Sequence, residues 1–209
     1  MDLSYKRVVS EICQLHWARL TVDDLTDVAW AYYYFSIQFR ENLEIATALY
    51  PDDSRLRRLI AEECETDNLS PWPGVATEGE KLNHDEFMRR LLNLNPVDAA
   101  RRENLMKIGR SYLTDVKKFK QLTRASSIVS YEGGGLEQVF RAVLNAECWD
   151  SLLLQAFKHF LIEHIIRFDS DSLRGHGSLT RHLSSDYQIV GLWIAFKRLL
   201  VLSVPKLAR

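Results

Sequence analysis

Cysteine is scarce in this chain: Cys13, Cys64 and Cys148 are the three in 209 residues. An odd number at such wide spacing supports neither a disulfide framework nor a Cys-x-x-Cys zinc or redox motif, and reads as reduced, buried thiols. Proline and glycine are also few, 5 and 9. Most of them cluster, the pattern of long helices with punctuated connections. No charge of one sign dominates. With a formal net charge of -1 and a pI near 6.6 there is no basic field to gather phosphates, so nucleic acid is not an expected partner. The longest apolar stretches, Val28 to Phe35 and Val190 to Phe196, fall far short of the roughly 20 residues that span a bilayer, and no membrane segment is expected. The first twenty residues are charged and periodic with no central apolar block, so they read as mature structure, and a cytoplasmic location is expected. Also missing are a Gly-x-Ser-x-Gly elbow, a Walker loop and a dinucleotide fingerprint, which leaves acyl transfer and nucleotide-dependent chemistry without a motif.

What is there is material for a core. At 46% hydrophobic and 26% charged, a chain of this length can bury roughly 70% of its unfolded surface around one centre. A single domain over residues 1–209 is expected. Val8, Val9, Ile12, Leu15 and Leu20 fall near helical spacing, which predicts a helix over about 3–20. Thr21 followed by Asp23 and Asp24 reads as a capping signal, and nothing interrupts the next helix before Pro51. A third helix, with Leu56, Leu59, Ile60 and Cys64 on one stripe, ends near Glu65. Residues 66–83 hold Pro71, Pro73, Gly74 and Gly79 and cannot form a regular element; a loop of that length in a small domain is more often functional than idle. Asn83 opens a short helix, and Pro96 separates it from a long one over 97 to about 124 that ends in the polar stretch TRASS. The glycines 133–135 break the chain. Helical periodicity resumes from Leu136 to about Phe168 with a seam at 148–151, and a last helix starts after Ser184 to Asp186 and stops at Pro205. Seven or eight helices result, with no strand signal, so the fold class is all-α.

The polar residues that stand out form a mixed oxygen and nitrogen donor set. Glu62, Glu63 and Glu65 close the third helix, His84 opens the fourth, Glu132 precedes the glycines, and His164, Asp169 and His176 surround the end of the longest helical run. Imidazoles and carboxylates from several helices suit iron or manganese in a bundle core, whereas thiolate sites would suit zinc or an iron–sulfur cluster.

The order of these residues, a carboxylate-rich helix end, then His84-Asp-Glu-Phe87, then a helical Glu, then a closing His…Asp…His-Gly stretch, resembles the heme-oxygenase-like di-iron oxidases and oxygenases, relatives of the TENA/THI-4 and pyrroloquinoline-quinone-synthase-like proteins. The resemblance implies a bundle of about seven helices, often a homodimer, with two irons in its middle reacting with dioxygen and a small organic substrate. Carried over residue by residue, it implies Glu63 as a metal ligand, with Glu62 or Glu65 as the competing register. His84 would be its imidazole partner, Glu132 a bridging or capping carboxylate, and His164, Asp169 and His176 the last cluster. Glu44 on the second helix would be a further ligand, in preference to Glu41. Here His164 and Asp169 are five residues apart and Asp169 and His176 seven, where the family has four and about three. At about 100° per residue a spacing of five sets side chains roughly 140° apart, so a π-bulge, or a position of Asp169 just past the helix end, is needed to bring them together.

Two other readings share this architecture. One is a metal-free, TENA-like small-molecule enzyme or helical ligand-binding protein with a polar pocket among the helices. The other is heme binding, with His16 as axial ligand and the glycines 133–135 letting a helix approach the porphyrin. The run Trp30 to Phe35 reads as core. Arg55, Arg57 and Arg58 read as a solvated face, and His159 with Glu163 as an ordinary pair at i and i+4. His182 matches no motif.

Overall fold

The computed structural model describes residues 3–64, 71–166, 179–180, 182–183 and 188–208. Nine α-helices appear among them: α1 (Leu3–Cys13), α2 (Val22–Leu49), α3 (Ser54–Cys64), α4 (His84–Leu91), α5 (Ala99–Val116), α6 (Gln121–Ser130), α7 (Leu136–Val143), α8 (Leu152–His164) and α9 (Ile189–Ser203). A π-helical turn, Tyr131–Gly135, joins α6 to α7 across a kink at which Gly133 and Gly134 leave helical geometry. The fold is all-α, and no helix among the described residues is long and apolar enough to cross a membrane.

The 28-residue α2 is the axis of the bundle, packing against α3, α4, α5, α6, α8 and α9. Its start follows from its sequence: the Thr21 hydroxyl accepts from the Asp24 amide while the Asp24 carboxylate accepts from the Thr21 amide, a complete capping box. With neighbours on nearly every side it has little amphipathic character, and its aromatic run is core. Tyr32 meets Phe35, Phe140, Phe157 and Phe160 at ring separations of 5.4 to 5.9 Å, and Phe35 lies 4.3 Å from Phe196 of α9. Each such side chain, fully buried, contributes about 1.5–3 kcal/mol.

Several expected helices are shorter than their periodicity suggests. Leu15 and Leu20 continue the apolar spacing of α1, yet the helix stops at Cys13, and a 3₁₀ turn, Trp17–Arg19, follows in which the Trp17 indole donates to the Ile12 carbonyl. The helix expected over 97–124 ends at Val116, and α6 begins at Gln121. The stretch TRASS is therefore no helix end; it lies buried inside α6, Thr123 to Ser127 included. The seam expected at 148–151 is wider, an interruption across 144–151, and α8 starts with the Ser151 hydroxyl accepting from the Leu154 amide.

Between α2 and α6 runs a buried polar seam that the sequence does not announce. Arg124 donates from Nε to the Asn42 side-chain carbonyl at 2.8 Å and from Nη2 to Glu41 at 2.8 Å. Asn42 in turn donates to Ser127 at 3.0 Å. Deeper in, the Tyr112 hydroxyl donates to Gln38, whose amide donates to the Tyr131 hydroxyl at 3.4 Å. Burial pushes the Tyr131 phenol up to about 12.

Candidate metal centre

Three chain segments far apart in sequence bring one donor each to the same point. Glu63 lies in the last turn of α3, His84 is the first residue of α4, and His164 is the last of α8. Glu63 Oε2 is 2.7 Å from His84 Nδ1, which is 3.3 Å from His164 Nε2. All three residues are buried, at 5%, 8% and 7% exposure, and one ligand atom from each lies within 4.8 Å of the others. A set of this kind away from water is uncommon in a structural role, because each member carries a desolvation cost that only partners or an ion offset.

Local structure explains the convergence. On α3, Leu56 and Leu59 face the core, and Glu63, four residues past Leu59, falls on the same stripe. Its neighbour Glu62 turns away and pairs with Arg58 at 2.6 Å. The position of α4 is held by its outer face: Glu86 bonds Arg89 and Arg90, and Arg90 reaches Glu80 and the Val75 carbonyl in the preceding loop. The loop 71–83 is thereby tied down just ahead of His84. Within α8, the His164 Nδ1–H donates to the Phe160 carbonyl one turn back at 2.8 Å. This bond fixes the tautomer and leaves the Nε2 lone pair directed at the other two donors, the outer support typical of metal-binding imidazoles. The far nitrogen of His84, Nε2, is buried with no hydrogen-bond partner among the described residues.

The surroundings are aromatic. His164 sits 4.2 Å from the ring of Phe160 and 5.7 Å from Phe140, and His84 sits 5.7 Å from Phe160, itself stacked on Phe87. Such a shell lowers the local dielectric and limits access of water. Two imidazoles and a carboxylate in a dry pocket are the donor set that suits non-heme Fe(II).

The other sequence-predicted ligands are distributed differently. Glu132 is buried in the π-helical turn but is not one of the three convergent donors. Glu44 does not belong to the cluster: it is on the exposed side of α2, paired with Arg40 at 2.7 Å. Glu41, the alternative, is paired with Lys117 and Arg124. Asp169, His176 and Glu65 lie outside the described residues. His16, the candidate heme ligand, is exposed just ahead of the 3₁₀ turn Trp17–Arg19. His159 stacks on Trp72 at 5.0 Å, and His182 bonds Asp53 at the start of α3. Sequence reasoning missed the aromatic shell as a unit, because Phe87, Phe140 and Phe160 sit on three helices and each reads alone as core.

No family model, no curated protein and no solved structure matches this chain. The case for the site therefore rests on its own geometry.

Proposed function

We propose that the chain is a non-heme iron protein that uses dioxygen to oxidise a small organic substrate, with Glu63, His84 and His164 holding an iron ion. The observation that carries this reading is the buried convergence of two imidazoles and one carboxylate from α3, α4 and α8, the His164 tautomer already fixed. Iron held by Glu63, His84 and His164 would supply the electrons with which dioxygen oxidises a bound substrate. The protein's own contribution is threefold: Glu63 offsets charge, the Phe160 carbonyl orients His164, and the phenylalanine shell excludes water. In its fuller form the proposal has two irons, the second held by Glu132 with Asp169 and His176, as the family resemblance implies.

A second reading has a specific observation behind it. The 2.7 Å contact between Glu63 and His84 already pairs two of the three groups. A metal-free protein binding a small molecule would use the cluster as a buried hydrogen-bonded triad.

Anaerobic Fe(II) titration with metal analysis, followed by exposure to oxygen under an absorbance record, separates the two. The proposal expects at least one ferrous ion per chain, with occupancy lost in both His84→Ala and His164→Ala although helicity is retained. About two irons establish the di-iron form. No binding above stray levels leaves the metal-free reading standing, and full occupancy in His164→Ala overturns the assignment of His164 as a ligand.

A further inference from the structure

A second site lies elsewhere on the bundle, between α2, α4 and α5. Trp30, Tyr33 and Tyr34 of α2 form one wall of a cavity of about 200 Å³, Leu92 and Met106 another, and Arg89, Asn93 and Arg102 its polar edge. None of the residues lining it is acidic. The cavity shares α4 with the metal cluster and no residue with it.

Its polar groups are donors in excess of acceptors. Arg89 is neutralised by Glu86. The Arg102 guanidinium, exposed at the edge, has no ion pair or hydrogen bond among the described residues, and the Tyr33 and Tyr34 hydroxyls likewise show no hydrogen bond among them. Arg102 and Arg110 both act electrostatically on the Tyr34 phenol. Trp30 adds a buried indole N–H that no described group accepts, an orphan of the kind that usually marks an absent partner. The shape is built as deliberately as the charge. At Gly109 of α5 any Cβ would stand 2.1 Å from Tyr34 Cδ2, so only glycine lets that ring lie against the helix and form the wall.

We propose that this cavity binds a small aromatic carboxylate, its ring between Trp30, Tyr34 and Met106 and its carboxylate on the Arg102 guanidinium. The aromatic faces and the thioether favour a flat apolar body. An unpaired guanidinium with phenol and amide donors beside it favours a planar anion, which it holds by two parallel N–H···O bonds. A volume well below the roughly 300–1,000 Å³ of pockets for drug-sized ligands sets the size at one ring or two fused rings. Arg102 stands in the first turn of α5, but the Arg101 and Arg102 amides there are taken by Asp98 and no glycine lines the edge, so a phosphate would lack the further donors it usually takes.

The site is tested on metal-depleted protein, so that its outcome is separate from that of the iron reading. Calorimetric titration uses 2-naphthoate, its neutral analogue 2-naphthamide and inorganic phosphate. Saturable binding of 2-naphthoate at one site per chain is expected, with 2-naphthamide weaker by about tenfold and phosphate unable to compete. Arg102→Gln is expected to weaken the naphthoate about tenfold and leave the naphthamide unchanged, while Arg141→Gln, at an exposed arginine on α7, changes neither. Gly109→Ala should abolish both by driving Tyr34 into the cavity. Absence of saturable naphthoate binding overturns the proposal, as does equal affinity for the amide or an unaltered Arg102→Gln variant. Competition by phosphate would assign the edge to phosphate esters instead, which also overturns it.

Discussion

Glu86 occupies the first turn of α4 and accepts from Arg89 Nε and Nη2 at 2.6 and 2.8 Å and from Arg90 Nε at 2.9 Å. These hydrogen bonds, that of Arg89 foremost, hold its carboxyl at about 2. A depressed acid stabilises the fold fully above its unfolded value near 4.5 and loses that contribution as pH falls through about 2. The carboxylate is 32% exposed, so solvent screening reduces the effect. Glu86→Gln is expected to cost on the order of 1 kcal/mol at pH 7. Urea unfolding at a series of pH values should show the gap between variant and wild type shrinking from pH 4.5 downward. A gap that stays constant to pH 3 would mean the arginines find other partners. At the same scale Glu62, Glu63 and Glu65 were competing registers in the sequence, because all three close the expected third helix. Of the two that are described, Glu63 follows Leu56 and Leu59 inward, and Glu62 follows Arg58 outward.

Among the elements, the π-helical turn between α6 and α7 gives the most discriminating test, because its three glycines meet three different environments. Gly133 has an ordinary φ of -77° and open space around its missing Cβ. Gly134 has φ +94°, where an L side chain is strained by about 1–2 kcal/mol. A Cβ on Gly135 would fall 2.4 Å from the Ser130 carbonyl oxygen and 2.7 Å from the Trp193 ring. Alanine is therefore expected to be near neutral at 133, to cost about 1–2 kcal/mol at 134, and to cost about 2–3 kcal/mol at 135 by overpacking. Urea midpoints give the order, and near-UV circular dichroism should change only for Gly135→Ala, through Trp193. The break here was legible because three glycines leave no other reading. The break at 117–120 was not, and that at 144–151 was legible only in its second half, as the seam at 148–151. Both lie in runs without proline or glycine, where apolar spacing continues past the real helix end. The misreading of TRASS has an equally physical origin: Ser127 and Ser130 donate to carbonyls three residues back in their own helix and accept from Asn42 and Trp193, so these hydroxyls are satisfied in the interior.

For the molecule as a whole, legibility divides along the same line. Fold class followed from periodicity, since long amphipathic runs with clustered breakers have few solutions other than a bundle. The meeting of Glu63, His84 and His164 did not, because it depends on how α3, α4 and α8 pack about α2, and spacing along one chain carries no information about that packing. With so much apolar surface around α2, the bundle is expected to fold without metal, unlike small domains that need an ion to fold. Saturating Fe(II) under anaerobic conditions should raise the melting temperature by several degrees, in line with roughly 2.7 kcal/mol at a hundredfold excess over the dissociation constant. Chelation should reverse the gain and leave the far-ultraviolet spectrum unchanged. An unfolded apo-protein in calorimetry would contradict this picture.

Gly109 and Tyr34 carry one more consequence. With the phenol ring pressed on the backbone of α5 on one side and facing the cavity on the other, a half-turn about its long axis is expected to need the ring to lean away from α5. The interval between its flips is then a clock for the breathing of that wall.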